Sequence, residues 1–136
     1  MSDDDRRAGV ALELRHAASA LAAAHLLREA GLYNDALSRL YYALFRTMTA
    51  LLLTEGVEAR RHRSLPGLLG TKFAASGLLG ASDIALVSRS ATYRDLADYE
   101  RTWEATLSVA DAALQEIEPM MARVRAHLVA EGWTES

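Results

Sequence analysis

The chain has 136 residues, enough for one domain around a single core. Hydrophobic residues make up 51% of it, rich in Ala and Leu, with two prolines and no cysteine, which excludes a disulfide scaffold or a thiolate metal site and favours helix over sheet. Fifteen basic residues against eighteen acidic give a net charge of −3, which excludes the strongly basic balance of a dedicated duplex-DNA binder, so any nucleic-acid contact must use a local patch.

In chain order, the acidic start suits the positive end of a helix dipole and predicts a first helix from about Asp4 or Asp5 to Ala30. Val10, Leu14, Ala17, Leu21, Ala24 and Leu27 recur at three- and four-residue steps and form its core-facing stripe. Gly31 supplies a left-handed stop. A second helix is predicted from Tyr33 to Glu55, closed by Gly56. Its stripe runs through Tyr33, Leu37, Leu40, Tyr41, Leu44, Met48, Leu51 and Leu52, and its other face carries Asn34, Asp35, Ser38, Arg39, Tyr42 and Arg46. A basic loop, Glu58 to Arg63, leads to a short helix from Ser64 to Ala75. Ser64 is its expected N-cap, Pro66 sits in the first turn, and Gly67 and Gly70 weaken it. Gly77 and Gly80 bracket a turn. A fourth helix is expected from Ser82 to Leu96, capped by Ser82 or Asp83, with the polar stretch Asp95 to Arg101 ending it. The last helix is expected from Thr102 to Val129, with Gly132 as its stop and a kink near Ile117 imposed by Pro119. The whole reads as one all-α domain over residues 1–136, core about 6–130, folded as a five-helix antiparallel up-and-down bundle.

Three groups of residues carry candidate chemistry. Arg94 and Asp98 stand at i and i+4 with Tyr99 next to them, either as a polar cleft or as a helix-end ion pair. Arg39, Tyr42 and Arg46 share one helix face, where arginine can fork onto a phosphate, or where Arg39 pairs with an acid such as Asp98 and Tyr42 fills the bundle. Arg60, Arg61, His62 and Arg63 form a dense basic cluster that welcomes a phosphate backbone or stays a solvated loop, with His62 as the best-placed imidazole for acid–base work. His16, His25 and His127 lack metal-ligand spacing. The Glu13–His16 pair has no second copy, so neither metal nor other cofactor is expected. Trp103 and Trp133 read as core and interface anchors. The longest near-apolar run, Ala17 to Leu27, is broken by Ser19 and His25 and is too short to span a bilayer. With the acidic start this reads as a soluble, cytoplasmic protein with no membrane association.

The stretch Ser38-Arg39-Leu40-Tyr41-Tyr42-Ala43-Leu44-Phe45 resembles the S-R-x-Y-Y-A-x-F signature of small stand-alone prokaryotic HEPN domains. Ala50-Leu51-Leu52-Leu53 with Gly56, the placement of His62, Phe73 with Gly77-Leu78-Leu79, and Arg94 with Ala97-Asp98-Tyr99 extend the resemblance over roughly residues 26–128. The resemblance implies a helical bundle that works as a homodimer. It also implies a toxin–antitoxin or defence setting, often beside a minimal nucleotidyltransferase acting as antitoxin. Many members are metal-independent ribonucleases using R-x(4–6)-H, and the partner can silence them by modifying a tyrosine that follows the histidine. No histidine follows an arginine at that spacing here, and the nearest equivalent is Arg94 with Asp98 and Tyr99. Ribonucleolysis by 2′-OH attack needs a base of near-neutral pKa and a positive group for the phosphate, and an ordinary aspartate is a weaker base.

The expected function is therefore a HEPN module that binds RNA or nucleotide, or a nucleotidyltransferase partner, as a homodimer. Arg39, Tyr42, Arg60, Arg61, His62, Arg63 and Tyr99 are the expected binding residues. The alternatives are a ribonuclease toxin with a degenerate R-x-x-x-D-Y motif, using Arg94 with Asp98 or His62, and a purely structural adaptor to a nucleotidyltransferase. The dimer is also expected from Leu53 and Tyr42, apolar positions off the main stripe.

Overall fold

A computed structural model describes residues 1–58 and 61–135, and among these it contains five α-helices and no strand. They are α1 (Asp3–Glu29), α2 (Tyr33–Leu53), α3 (Leu65–Phe73), α4 (Ala81–Tyr99) and α5 (Leu107–Ala130). The all-α bundle expected from the periodicity is the one observed.

α1 starts at Asp3, the first of its acids, one residue before the expected Asp4. Ser2 is the N-cap: its Oγ accepts from the Asp5 amide at 3.0 Å, while the Asp5 carboxylate accepts from the Ser2 amide at 3.3 Å, a reciprocal capping box. At the other end Gly31 adopts φ +79°, which lets the Leu32 amide reach back to the Leu27 carbonyl (2.9 Å) and the Gly31 amide to Arg28 (3.1 Å). This closure turns the chain within the Ala30–Leu32 segment and lays α2 back along α1. Small side chains on α1, among them Ala17, Ala20 and Ala24, are buried and let the two helices approach closely.

α2 is the axis of the fold, touching each of the other four helices. It therefore buries residues on nearly every side: Leu40, Leu44, Met48, Leu51 and Leu52 along the expected stripe, and Ala43, Ala50 and Leu53 off it. This corrects the role expected of Leu53, which is not a surface apolar residue free to pair protomers. It packs inside the monomer against Gly9 of α1, where a Cβ would come within 3.1 Å of its Cδ1.

One capping expectation is corrected and another is met in position only. Ser64 stands at the N-cap of α3 as expected, but its side chain caps no amide; its hydroxyl donates to the Arg61 carbonyl at 2.8 Å across a single 3-10 turn, His62–Ser64. α3 nevertheless forms despite Gly67 and Gly70, because Leu65, Leu69 and Phe73 bury one face. At α4 the N-cap is Gly80 and neither Ser82 nor Asp83. Asp83 sits three residues on, accepting from the Gly80 amide (2.9 Å) and from Arg123 of α5 (2.8 Å). Burial pushes the Asp83 carboxyl up, but these two donors outweigh it and hold it below the ordinary aspartate value.

The largest boundary difference lies between α4 and α5. The polar stretch expected to end α4 at Leu96 is helical through Tyr99, and α5 begins at Leu107 rather than Thr102. Propensity misses this because tertiary contacts decide it. Asp98 is tied within α4 to Arg94 and across to Ser38 of α2, so the last turn is held. The following segment is pinned by Asn34, which donates to the Trp103 carbonyl (3.2 Å) and accepts from the Ala105 amide (2.7 Å), while Trp103 stacks on Tyr93 with centroids 6.1 Å apart. Thr106 then caps α5 through the Val109 amide. α5 continues through Pro119 and buries Ile117, Met120, Met121, Val124 and Leu128. Trp133, beyond its end, lies under the guanidinium groups of Arg6 and Arg7. Among the described residues no helix is long and apolar enough to cross a membrane.

Candidate functional site

The signature stretch on α2 places Ser38, Tyr41, Tyr42 and Phe45 one turn apart, so they share a face, and α4 brings Arg94 and Asp98 opposite it. Between them is an open pocket of about 510 Å3. Of the sequence-predicted residues, Arg39, Tyr42, Arg46, His62, Arg94 and Asp98 line this one pocket.

Asp98 is fully engaged. One carboxylate oxygen accepts from the Ser38 hydroxyl and the other lies 3.1 Å from Arg94 Nε. Arg94 also contacts Asp95 through Nη1 at 3.3 Å, and its guanidinium carbon stands 5.3 Å from the Tyr99 ring centroid. Tyr99 itself is 71% exposed and points outside the pocket. The expected i, i+4 pair is real, and it fixes Arg94 at the pocket wall.

Arg39 and Arg46 differ sharply. Arg46 donates through Nη1 to both carboxylate oxygens of Glu13 on α1, each at 3.0 Å, and through Nη2 to the Tyr42 hydroxyl at 2.5 Å. Its charge is neutralised, and Glu13 serves it rather than His16. Arg39 does not pair with Asp98: among the described residues it makes no ion pair, and it rests over the Tyr42 ring at 5.3 Å. A cation with no carboxylate of its own, at the mouth of an aromatic pocket, is available to an anion from solution.

The basic cluster does not act as a block. Arg60 lies outside the described residues. Arg61 is exposed and contributes its carbonyl to Ser64. Arg63 is exposed and lines a neighbouring, smaller cavity. His62 turns inward. Its ring lies 4.2 Å from Phe45 and 5.4 Å from Tyr41, centroid to centroid, and its Nδ1 is 3.1 Å from the Tyr41 hydroxyl. Burial, and then the positive charge of Arg94, push the imidazole below the ordinary histidine value, with Asp95 opposing. Burial pushes Tyr41 up to about 12, with Asp95 adding to the rise and Arg94 opposing it, so its phenol is neutral throughout the physiological range. Arg94 thus acts electrostatically on both.

His62 binds fewer protons when folded than when unfolded over the interval between its lowered pKa and about 6.5. Its contribution to stability is therefore complete above that interval and is lost as pH falls through the folded value. A His62→Gln variant is expected to lose less stability than the wild type between about pH 7 and pH 5, as read by denaturant midpoints at each pH. Equal losses would refute the coupling.

Sequence reasoning assigned Tyr41 to the core stripe and gave Phe45 and Ser38 no site role. The tyrosine is buried, yet its hydroxyl end meets His62. The signal was the signature itself, whose spacing sets all three on the face that α4 covers.

Known proteins bear out this architecture. The profile of the HEPN domain matches residues 10–127. A Methanocaldococcus jannaschii protein named "Putative toxin MJ0605" is 32% identical over 105 residues, covering 77% of this chain and 78% of its own. A second from that organism, "Putative toxin MJ0142", is 25% identical over 118 residues, 87% of this chain and 80% of its own. The Pyrococcus horikoshii "UPF0332 protein PH1297" is 39% identical over 59 residues, 43% of this chain and 42% of its own. With the profile spanning most of the chain and a relative aligned over three-quarters of both lengths, this protein belongs to the HEPN domain family.

Proposed function

We propose that this protein is a toxin-like HEPN module of a toxin–antitoxin or defence pair, and that its α2–α4 pocket binds the phosphate backbone of RNA or a nucleotide. The observation that carries the reading is the pairing of Arg39, which has no ion pair among the described residues, with Arg94 in one pocket walled by Tyr41, Tyr42, Phe45 and His62. Cations recruit phosphate, and aromatic faces stack bases without demanding a sequence. The net charge of −3 confines such binding to this patch. The names of the two M. jannaschii relatives support the toxin setting. The family likeness supports a cytoplasmic homodimer and a nucleotidyltransferase partner, the first of which light scattering at micromolar concentration reads directly.

The test is anisotropy with a labelled single-stranded RNA across a salt series. Wild-type binding weakens with salt, and Arg39→Ala binds about tenfold more weakly with a shallower salt slope, one phosphate contact fewer. Arg61→Ala, outside the pocket, changes affinity less. Unaltered binding by Arg39→Ala would remove the reading.

One observation favours a second, catalytic reading. His62 is held neutral beside a fixed arginine, the two elements 2′-OH transfer needs. With Tyr41 as a neutral phenol accepting from Nδ1–H, the His62 Nε2 lone pair can take the 2′-OH proton. The 2′ oxygen then bonds phosphorus to give the 2′,3′-cyclic phosphate and expels the 5′ oxygen, which takes a proton from water and leaves as a 5′-OH, while Arg94 neutralises charge on the phosphoryl oxygens. Asp98 is a poorer base because both its oxygens are engaged, and it acts as a positioning residue for Arg94. On this reading His62→Ala abolishes cleavage of a fluorogenic RNA and growth arrest on expression, while Asp98→Asn retains part of both. Full cleavage by His62→Ala would exclude it.

A further inference from the structure

Beside the large pocket lies a smaller cavity of about 220 Å3. Tyr41, His62 and Arg94 belong to both. Beyond this shared wall the smaller cavity is lined by Pro66 of α3 and by Ser88 and Ala91 of α4, with Arg63 as its one further cation and Asp95, which Arg94 contacts, as its one carboxylate. The larger one carries Arg39, Tyr42 and Phe45.

The two volumes differ in what they can hold. Sites for whole small ligands run from about 300 to 1,000 Å3. The larger pocket falls in that range, and the smaller falls below it and suits one flat, mostly apolar fragment such as a nucleobase. The two cavities meet at the three residues they share, Tyr41, His62 and Arg94. Of those, Arg94 is a fixed cation whose Nε and Nη1 face Asp98 and Asp95, and its Nη2 has no partner among the described residues. An anion centred on this shared wall satisfies it, and groups attached on either side of that anion fall into the two cavities. Single strands can splay adjacent bases in this way, whereas a duplex keeps them stacked and paired.

We propose that the two cavities form one bipartite site that takes two adjacent nucleotides of a single strand, their linking phosphate at Arg94 and His62. This rests on the RNA-binding reading above. One base lies against Pro66 and Ala91, and the other nucleotide lies against Tyr42 and Phe45 with its own phosphate reaching Arg39. A mononucleotide fills only half.

Calorimetry with UMP, the 5′-phosphorylated dinucleotide pUpU, and a 12-nucleotide oligouridine tests it. The dinucleotide is expected to bind at least tenfold more tightly than UMP. Ala91→Leu fills the smaller cavity from a half-exposed helical position. It is expected to bring pUpU down to the affinity of UMP while leaving UMP within twofold. Ala91→Ser, which leaves the cavity open, keeps a pUpU advantage over UMP and shows that the position tolerates substitution. If pUpU binds no better than UMP, or if its advantage survives Ala91→Leu, the bipartite site is refuted while RNA binding through Arg39 stands. If Ala91→Leu weakens both ligands equally, it is refuted as well. Should Ala91→Leu not fold, the wild-type comparison alone decides. If none of the three probes binds, the RNA-binding reading itself fails.

Discussion

Truncating Leu44 to alanine is expected to destabilise the protein by about 2–5 kcal/mol, among the largest losses any single conservative change can produce here. Leu44 is fully buried at the middle of α2, the helix that every other helix packs on. Its neighbours along the axis, Leu40, Met48 and Leu51, are buried too, so no flank is free to collapse into the void. For a chain of this length the melting temperature should fall by about 10 °C or more. Chemical denaturation should show a lower midpoint at unchanged slope, the sign of lost stability rather than an altered unfolded state. Leu26→Ala is the control: that side chain is 67% exposed and its loss should stay within about 0.5 kcal/mol. A Leu44→Ala cost below about 1 kcal/mol would mean that α2 is not the central rod.

Removing the Arg94 guanidinium is expected to produce the largest functional loss. Arg94→Ala should weaken RNA binding by at least tenfold, because this arginine belongs to both cavities while Arg39 serves only one. The fold should tolerate it. The exposed-side ion pair with Asp98 is an i, i+4 contact of about 0.3–0.5 kcal/mol, and Asp98 keeps its bond to Ser38. Arg94→Lys should not restore binding, since an ammonium cannot hold Asp98 through one nitrogen and present another to a phosphate in the same plane. A ligand-free signature accompanies this. Arg94 lowers the pKa of His62, so in Arg94→Ala the imidazole should titrate at higher pH than in the wild type, though burial still holds it below the ordinary value. Proton NMR of the ring resonances reads this directly. A His62 titration unmoved by the change would mean that the arginine does not face the imidazole, and would undercut both the binding and the catalytic readings.

Most of the fold was legible because its devices are local. Glycines at the ends of α1 and α2 mark left-handed closures, and the three- and four-residue spacing of Leu and Ala marks buried faces. The errors fall where a distant residue decides. Nothing near Asp95–Tyr99 announces that Ser38, sixty positions earlier, holds that turn helical, and nothing near Thr102 announces Asn34. The site shows the same division. The Arg94–Asp98 pair follows from helical geometry, but the engagement of Arg46 by Glu13, which leaves Arg39 as the available cation, needs the packing of α1 on α2. The placement of the His62 ring against the pocket wall, out of a run of arginines, likewise depends on Phe45 and Tyr41 offering it aromatic faces.

The residues that wall the groove and those that fill the hydrophobic interior alternate along a single helix: Tyr41 and Phe45 with Leu40 and Leu44, one position apart. The groove therefore has no hinge of its own. Moving the α2 wall means displacing the rod on which everything else is assembled, an excursion whose free energy approaches that of global unfolding. Recognition therefore has one fixed jaw: the aromatic face of α2 is as durable as the native state, and any adjustment to a guest falls to the α4 side that carries Arg94.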